Sequence, residues 1–131
     1  MKTIELLKEK ILYKRIKEMT KDKLVLEDGT ELYFECTAWD CCSEAYGKWD
    51  NATLDAVITD VELVIECVYC EGDQYDGMGV NTAKLVILHN QNSVAQANLY
   101  ADCGGSGYYS SILSVFIDGE NLGRILWAGT D

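Results

Sequence analysis

The fold is decided by residues 24–36, which read LVLEDGTELYFEC. Asp28 and Gly29 stand between two extended arms, and an Asp-Gly pair in this place is typical of a tight hairpin turn. Side chains alternate between the two faces of a strand, so the second arm has one apolar face. That face carries Leu32, Phe34 and Cys36. The stretch therefore predicts a β-hairpin with one buried side.

Turn signals recur about every ten residues after this hairpin, which is typical of antiparallel sheets. The chain has no proline, so its turns rest on Gly, Asn and Asp. Residues 37–51 are polar and predict an irregular segment. Strands are predicted at 60–70, 83–89, 94–101, 109–117 and 123–128, with glycine-rich loops at 71–81 and 102–107. In the strand at 60–70, Ile65 is expected to face inward.

Two short helices are expected beside the strands. The first covers residues 3–9 with Thr3 as its N-cap, and the pattern of residues 10–19 fits either its continuation or a strand. The second covers residues 52–58, where apolar side chains fall on one helical face. These are Leu54, Val57 and Ile58. The expected fold class is therefore α+β, mainly antiparallel β-sheet with a short N-terminal helix and one short internal helix.

Length and composition indicate one domain, residues 1–131, in the cytoplasm. A chain of 131 residues suits a single core, and no apolar run approaches the roughly 20 residues of a membrane span. The N-terminus has no apolar stretch of signal-peptide length, which favours a reducing compartment in which the six cysteines stay reduced. No membrane association is expected.

Charge is distributed unevenly along the chain, whose net charge is -11. Residues 1–23 hold eight basic and four acidic groups, whereas residues 24–131 hold three basic and eighteen acidic groups. The second part is an acidic body with too few cations to neutralise several phosphates, so direct nucleic-acid binding is not expected. The basic segment is expected to be solvated and paired with this body. An acidic body attracts basic protein surfaces instead.

Two blocks of sequence carry a family resemblance. Asp40-Cys41-Cys42 is followed by Glu44, and Gly107-Tyr108-Tyr109 leads into a later strand. Together with the Asp28-Gly29 turn, this order resembles an uncharacterised family of small bacteriophage and prophage proteins, classed as a domain of unknown function, over about residues 6–117. The resemblance implies a phage-like origin and a compact β-rich fold, and it implies no reaction.

The candidate binding site consists of these two blocks, which are expected to contact each other. Its residues are Asp40, Cys41, Cys42, Glu44, Gly107, Tyr108 and Tyr109. No cofactor or metal is expected, because Cys67 and Cys70 would point to opposite faces of one strand. If a metal were bound, the ligands would be Cys41, Cys67, Cys70 and Cys103.

No catalytic residue is expected. The only histidine, His89, follows an apolar strand, where a structural role is commoner than that of a base. The leading hypothesis is a non-enzymatic accessory protein that binds a protein partner through an acidic surface with loop aromatics, in one form inhibiting a host factor. The aromatics are Trp39, Tyr46, Trp49, Tyr75 and Trp127. The alternative is a small-molecule- or zinc-binding domain that uses the loops at 36–42 and 102–110. Self-association is left open.

Overall fold

The computed structural model describes residues 1–40, 43–68, 80–104 and 109–129, and the side chains of residues 67 and 68 are not described. Within these ranges the chain forms one helix and nine strands. In chain order these are α1 Lys2–Ile11, β1 Ile16–Met19, β2 Lys23–Leu26, β3 Glu31–Trp39, β4 Ala45–Ala52, β5 Asp60–Val68, β6 Val80–His89, β7 Asn92–Asp102, β8 Ser111–Ile117 and β9 Glu120–Ala128. No helix in the described ranges is long and apolar enough to cross a membrane.

The strands form two antiparallel sheets. Five strands make the first sheet in the order β1-β2-β3-β8-β9, and four make the second in the order β4-β7-β6-β5. The sheets contact each other where β4 meets β3 and where β9 meets β6 and β7. Their inner faces share one cluster of buried apolar residues, as in a β-sandwich.

The Asp28-Gly29 hairpin is confirmed. Leu26 and Thr30 close the turn, with the Leu26 N–H donating to the Thr30 carbonyl at 2.9 Å. Gly29 takes φ +93°, a left-handed conformation that glycine adopts without strain. Two further hairpins turn on residue pairs with positive φ, as tight antiparallel turns require. These pairs are Asn90-Gln91, between β6 and β7, and Asp118-Gly119, between β8 and β9.

Small side chains line the inner face of the second sheet. Ala83, Ala95, Ala97 and Ala101 are each at most 1% exposed. Larger residues share this face, among them Trp49 in β4, which is buried against Phe34 of the opposite sheet with ring centroids 5.6 Å apart. Small residues facing large ones allow the two sheets to interdigitate.

Helix α1 is part of the core. Leu7 and Ile11 are fully buried, and the helix contacts β9 and β5. Thr3, expected as an N-cap, instead lies inside the helix, where its Oγ1 donates to the Arg124 carbonyl at 2.9 Å. The helix ends at Ile11 and β1 begins at Ile16, so residues 10–19 are a helix end followed by a strand.

The predicted internal helix over residues 52–58 is wrong. Beyond Ala52 the chain forms a turn in which Asp55 takes φ +69°, and Leu54 is 55% exposed. Main-chain bonds to β1 replace helical ones: the Asp55 N–H donates to the Ile16 carbonyl at 2.7 Å, and the Ile16 N–H donates to the Ala56 carbonyl at 3.0 Å. Tertiary pairing therefore overrides the local helical pattern. Within the described residues the protein is β-rich with a single helix.

Residues 37–51, predicted to be irregular, are mostly strand. β3 continues to Trp39, and β4 covers residues 45–52. In β5 the expected inward position of Ile65 is also wrong, since this side chain is 48% exposed beside an irregularity in the ladder. The predicted loop at 71–81 lies outside the described residues up to residue 79, and β6 begins at Val80.

Candidate functional site

Residues next to the two predicted blocks are joined by hydrogen bonds. The Ser110 N–H donates to Asp40 Oδ2 at 2.7 Å, and Ser43 Oγ donates to the Ser110 carbonyl at 2.6 Å. The Ser43 hydroxyl also accepts the Asp40 N–H at 2.9 Å. Asp40, Ser43 and Ser110 therefore tie the connection between β3 and β4 to the chain that enters β8.

A second set of bonds centres on Asp102 at the end of β7. Its Oδ1 accepts the Glu44 N–H at 3.1 Å, its own N–H donates to the Glu44 carbonyl at 3.0 Å, and its Oδ2 accepts the Tyr100 hydroxyl at 2.8 Å. Burial and this hydrogen bond raise the pKa of Tyr100 well above its ordinary value, so the phenol stays neutral and donating. The Tyr100 ring stacks on Tyr46 at 4.8 Å between centroids.

An open groove of about 570 Å³ lies between β3 and β4, next to this network. One wall is β3 at Phe34, Glu35 and Cys36, and the other is β4 from Ala45 to Lys48. Lys23 and the exposed Asp22 lie at one end of it. Asp40 follows β3 and Ser43 precedes β4, so the hydrogen bond between them joins the ends of the two walls.

Comparison with known proteins places the chain in a family. The family model described as Domain of unknown function (DUF7448) matches residues 9–115. The chain belongs to this family. No curated protein and no solved structure matches it. All residues of the groove and of the hydrogen-bond network lie within the part matched by DUF7448.

The structure describes three of the seven predicted binding residues. Asp40 and Glu44 take part in the network of this DUF7448 domain, Glu44 through its main chain, while its side chain is exposed. Tyr109 is half-buried beside Ser110. The remaining four lie outside the described residues. They are Cys41, Cys42, Gly107 and Tyr108.

Only one of the four conditional metal ligands has a described side chain. Cys103 is buried at the end of β7. Cys41 and Cys70 lie outside the described residues, as does the side chain of Cys67. Among the described residues no group of three or more His, Cys, Asp or Glu side chains is arranged to hold a metal ion.

His89 takes part in two hydrogen bonds with its surroundings. Its Nδ1 lies 2.8 Å from the Val57 carbonyl and its Nε2 lies 3.3 Å from the Asn90 side-chain amide. A carbonyl only accepts, so Nδ1 carries the proton and Nε2 accepts from the amide. The ring thus links β6 to the turn that follows β4.

Of the five aromatic side chains expected in or near loops, the structure describes four, and all four belong to strands. Trp49 is 2% exposed in the core, and its indole N–H has no partner among the described residues. Tyr46 and Trp39 lie on strands and are 44% and 64% exposed. Trp127 lies on β9 under Arg124, and Tyr75 is outside the described residues.

Sequence reasoning missed the serines and Asp102, which make most of the network. Short hydroxyl and carboxylate side chains that flank a loop are typical acceptors and donors for main-chain groups. Ser43 and Ser110, which flank the two blocks, carried that signal. Their pairing was not visible, because 67 residues separate them.

Proposed function

We propose that this protein is a non-enzymatic accessory protein of phage or prophage origin that binds a basic protein partner through its acidic surface. The observation that carries the proposal is the pairing of N-terminal lysines with carboxylates of the acidic body. Four of them form ion pairs with carboxylates. The pairs are Lys8–Asp60 at 2.9 Å, Lys10–Glu120 at 3.3 Å, Lys14–Asp28 at 2.7 Å and Lys23–Glu31 at 3.0 Å.

In these pairs the lysine side chains of the basic segment lie against the acidic body. Lys8 lies beside Asp60 and holds the pKa of that carboxyl below its ordinary value, together with the Val61 N–H. Four of the eight basic groups of residues 1–23 therefore neutralise carboxylates of the body. The whole chain keeps a net charge of -11, and many of the carboxylates that the structure describes are exposed. Such a surface accelerates encounter with a positively charged protein and repels anions.

Exposed carboxylates lie on strands of both sheets and in the connections between strands. They include Glu18, Glu27, Glu35, Glu44, Asp50, Asp55 and Glu62. A host factor with a basic groove, such as a nuclease, has the complementary charge, and covering that groove would inhibit it. Inhibition of a host factor is the concrete form of the proposal.

The test measures binding of the purified protein to folded basic proteins, including nucleases with basic grooves, and to acidic proteins as controls. We expect binding to basic members of the panel, with an affinity that falls as salt rises from 50 to 500 mM, because screening weakens attraction between exposed charges (the Debye length is about 10 Å at 0.1 M). A pull-down from host lysate should recover the same class of protein. No salt-sensitive binding in either measurement would overturn the proposal.

A second candidate function is a small-molecule- or zinc-binding domain that uses the loops at 36–42 and 102–110. It is favoured by one observation, the bonds from Asp40 and Ser43 to Ser110, which bring the ends of these loops together. Elemental analysis with thiol titration separates the two candidates. One zinc per chain and blocked thiols would support the second candidate and count against the first.

A further inference from the structure

The groove between β3 and β4 is bordered by two strand edges. β4 is the terminal strand of the second sheet, paired with β7 on one side only. β3 is paired with β2 only as far as Tyr33, which lies opposite Lys23. Beyond that point its β2 side borders the groove. In the described part of the chain no strand pairs with either edge along the groove.

The hydrogen-bond pattern shows which main-chain groups of β4 point into the groove. The Asp102 N–H donates to the Glu44 carbonyl, so the main-chain groups of Glu44 point toward β7. In an antiparallel ladder this direction alternates along a strand, which turns the N–H and C=O groups of Ala45 and Gly47 outward. Trp49 continues the alternation, and its N–H donates outward to the Lys21 carbonyl at 2.9 Å.

The main-chain groups of β3 alternate in direction in the same way. The Asp118 N–H donates to the Glu31 carbonyl on the β8 side at 3.0 Å, so Phe34 and Cys36 direct their main-chain groups to the opposite side. The two edges thus present main-chain donors and acceptors across one groove. Exposed strand edges of this kind are the templates to which extended peptides add as a further strand.

The side chains around the groove define the chemistry of its occupant. Phe34 and Cys36 are half-buried and supply an apolar surface. Two of the three carboxylates are neutralised by lysines within hydrogen-bond distance, Glu31 by Lys23 and Asp22 by Lys48. The third, Glu35, is exposed and forms no ion pair with any described residue. The groove therefore carries net negative charge beside an apolar surface.

We infer that this groove binds an extended segment of the partner protein, in which basic residues alternate with apolar ones, as an added strand along β4. This inference rests on the proposed function and names the surface that performs it. The segment forms main-chain hydrogen bonds with the outward N–H and C=O groups of Ala45 and Gly47. These bonds extend the row that begins with the bond from the Trp49 N–H to the Lys21 carbonyl. Its basic side chains meet Glu35, and its apolar side chains meet Phe34 and Cys36.

The experiment measures fluorescence anisotropy of a labelled ten-residue peptide of alternating Arg and Val, with an alternating Glu and Val peptide as the charge control. We expect binding of the Arg peptide only. Glu35→Gln should weaken it about two- to five-fold, the range of an exposed ion pair. The matched control is Glu62→Gln, an exposed carboxylate on β5, at the edge of the second sheet opposite to β4, which should leave the affinity unchanged.

Hydrogen exchange locates the peptide independently of charge. We expect the amides of Ala45 and Gly47 to become protected when the Arg-Val peptide is present. Binding without this protection, or equal loss in Glu35→Gln and Glu62→Gln, would overturn the inference. Concentration-dependent protection without peptide would also overturn it, because a second copy would then occupy the edge. If folded basic proteins bind and the peptide does not, only this inference fails, whereas loss of both kinds of binding removes the proposed function as well.

Discussion

At the scale of single residues, Gly47 controls how close the two sheets approach. A Cβ atom at this position would lie 2.8 Å from Leu99 Cδ2 and 2.8 Å from Phe34 Cδ2. Both distances are shorter than carbon atoms tolerate, and Leu99 is buried while Phe34 packs half-buried against the core. The missing side chain is what allows the Phe34 ring to lie against β4 beside the groove.

Gly47→Ala is therefore expected to lower the free energy of unfolding by about 1–3 kcal/mol, the usual cost of overpacking. Urea denaturation followed by circular dichroism measures it. Asn51→Ala, at an exposed position of the same strand, is the control and should change the free energy of unfolding by less than about 0.5 kcal/mol. An alanine variant as stable as the wild type would show that Phe34 and Leu99 move apart freely.

At the scale of elements, the turn between β2 and β3 depends on the Asp28 carboxylate. Lys14 Nζ lies 2.7 Å from Asp28 Oδ2, and Thr30 donates both its Oγ1, at 2.6 Å, and its N–H, at 3.0 Å, to Oδ1. The bond from Lys14, and then those from Thr30, hold the pKa of Asp28 well below its ordinary value of 3.8. The ionised carboxylate thus links the hairpin to the segment between α1 and β1.

This shift gives an acid dependence of stability whose sign is defined. The folded state holds its proton less tightly than the unfolded chain, so Asp28 contributes stability above pH 3.8, and the contribution is lost as pH falls through the lower folded pKa. We expect Asp28→Asn to reduce the loss of stability between pH 5 and pH 2, measured by thermal unfolding at each pH. Asp50→Asn, which keeps the Lys14 pair, is the control and should retain the wild-type slope.

The elements that the sequence predicts well are those whose signal is local. Asp28-Gly29 and the alternation around it lie within a few residues, so the hairpin is visible without tertiary information. β4 is not visible, because Gly47 and the polar residues after it lack strand propensity and the strand is imposed by packing on Phe34 and Leu99. The candidate site is predicted only in part, because its residues are far apart in the sequence. Asp40 and Glu44 belong to one short sequence block and are predicted, whereas Ser110 and Asp102 come close to them only in the folded chain.

At the scale of the whole molecule, the basic N-terminal segment both forms ion pairs with the body and covers part of the apolar core. Lys8 and Lys10 of α1 pair with carboxylates at the start of β5 and of β9, while Leu7 and Ile11 have no exposed surface. The sequence predicts a solvated segment that pairs with the acidic body, and the structure adds that two of its apolar side chains, Leu7 and Ile11, are buried in the core. Without the helix, the ends of β5 and β9 would expose apolar surface.

Leu7→Ala is expected to lower the free energy of unfolding by about 2–5 kcal/mol, because it leaves a cavity at a fully buried position. Lys2→Ala, at an exposed position of the same helix, is the control. Guanidinium denaturation followed by tryptophan fluorescence measures both variants. A Leu7→Ala variant no less stable than Lys2→Ala would mean that the helix is detached from the core in solution.

The row of alanines on the inner face of β6 and β7 restricts how relatives of this chain can vary. Ala95, Ala97 and Ala101 have no exposed surface, so any larger residue there would push the opposite sheet away. Between them, Gln96 and Asn98 face outward and accept replacement at little cost. Substitutions accumulated over generations will therefore fall on Gln96 and Asn98, while the alanines beside them stay unchanged.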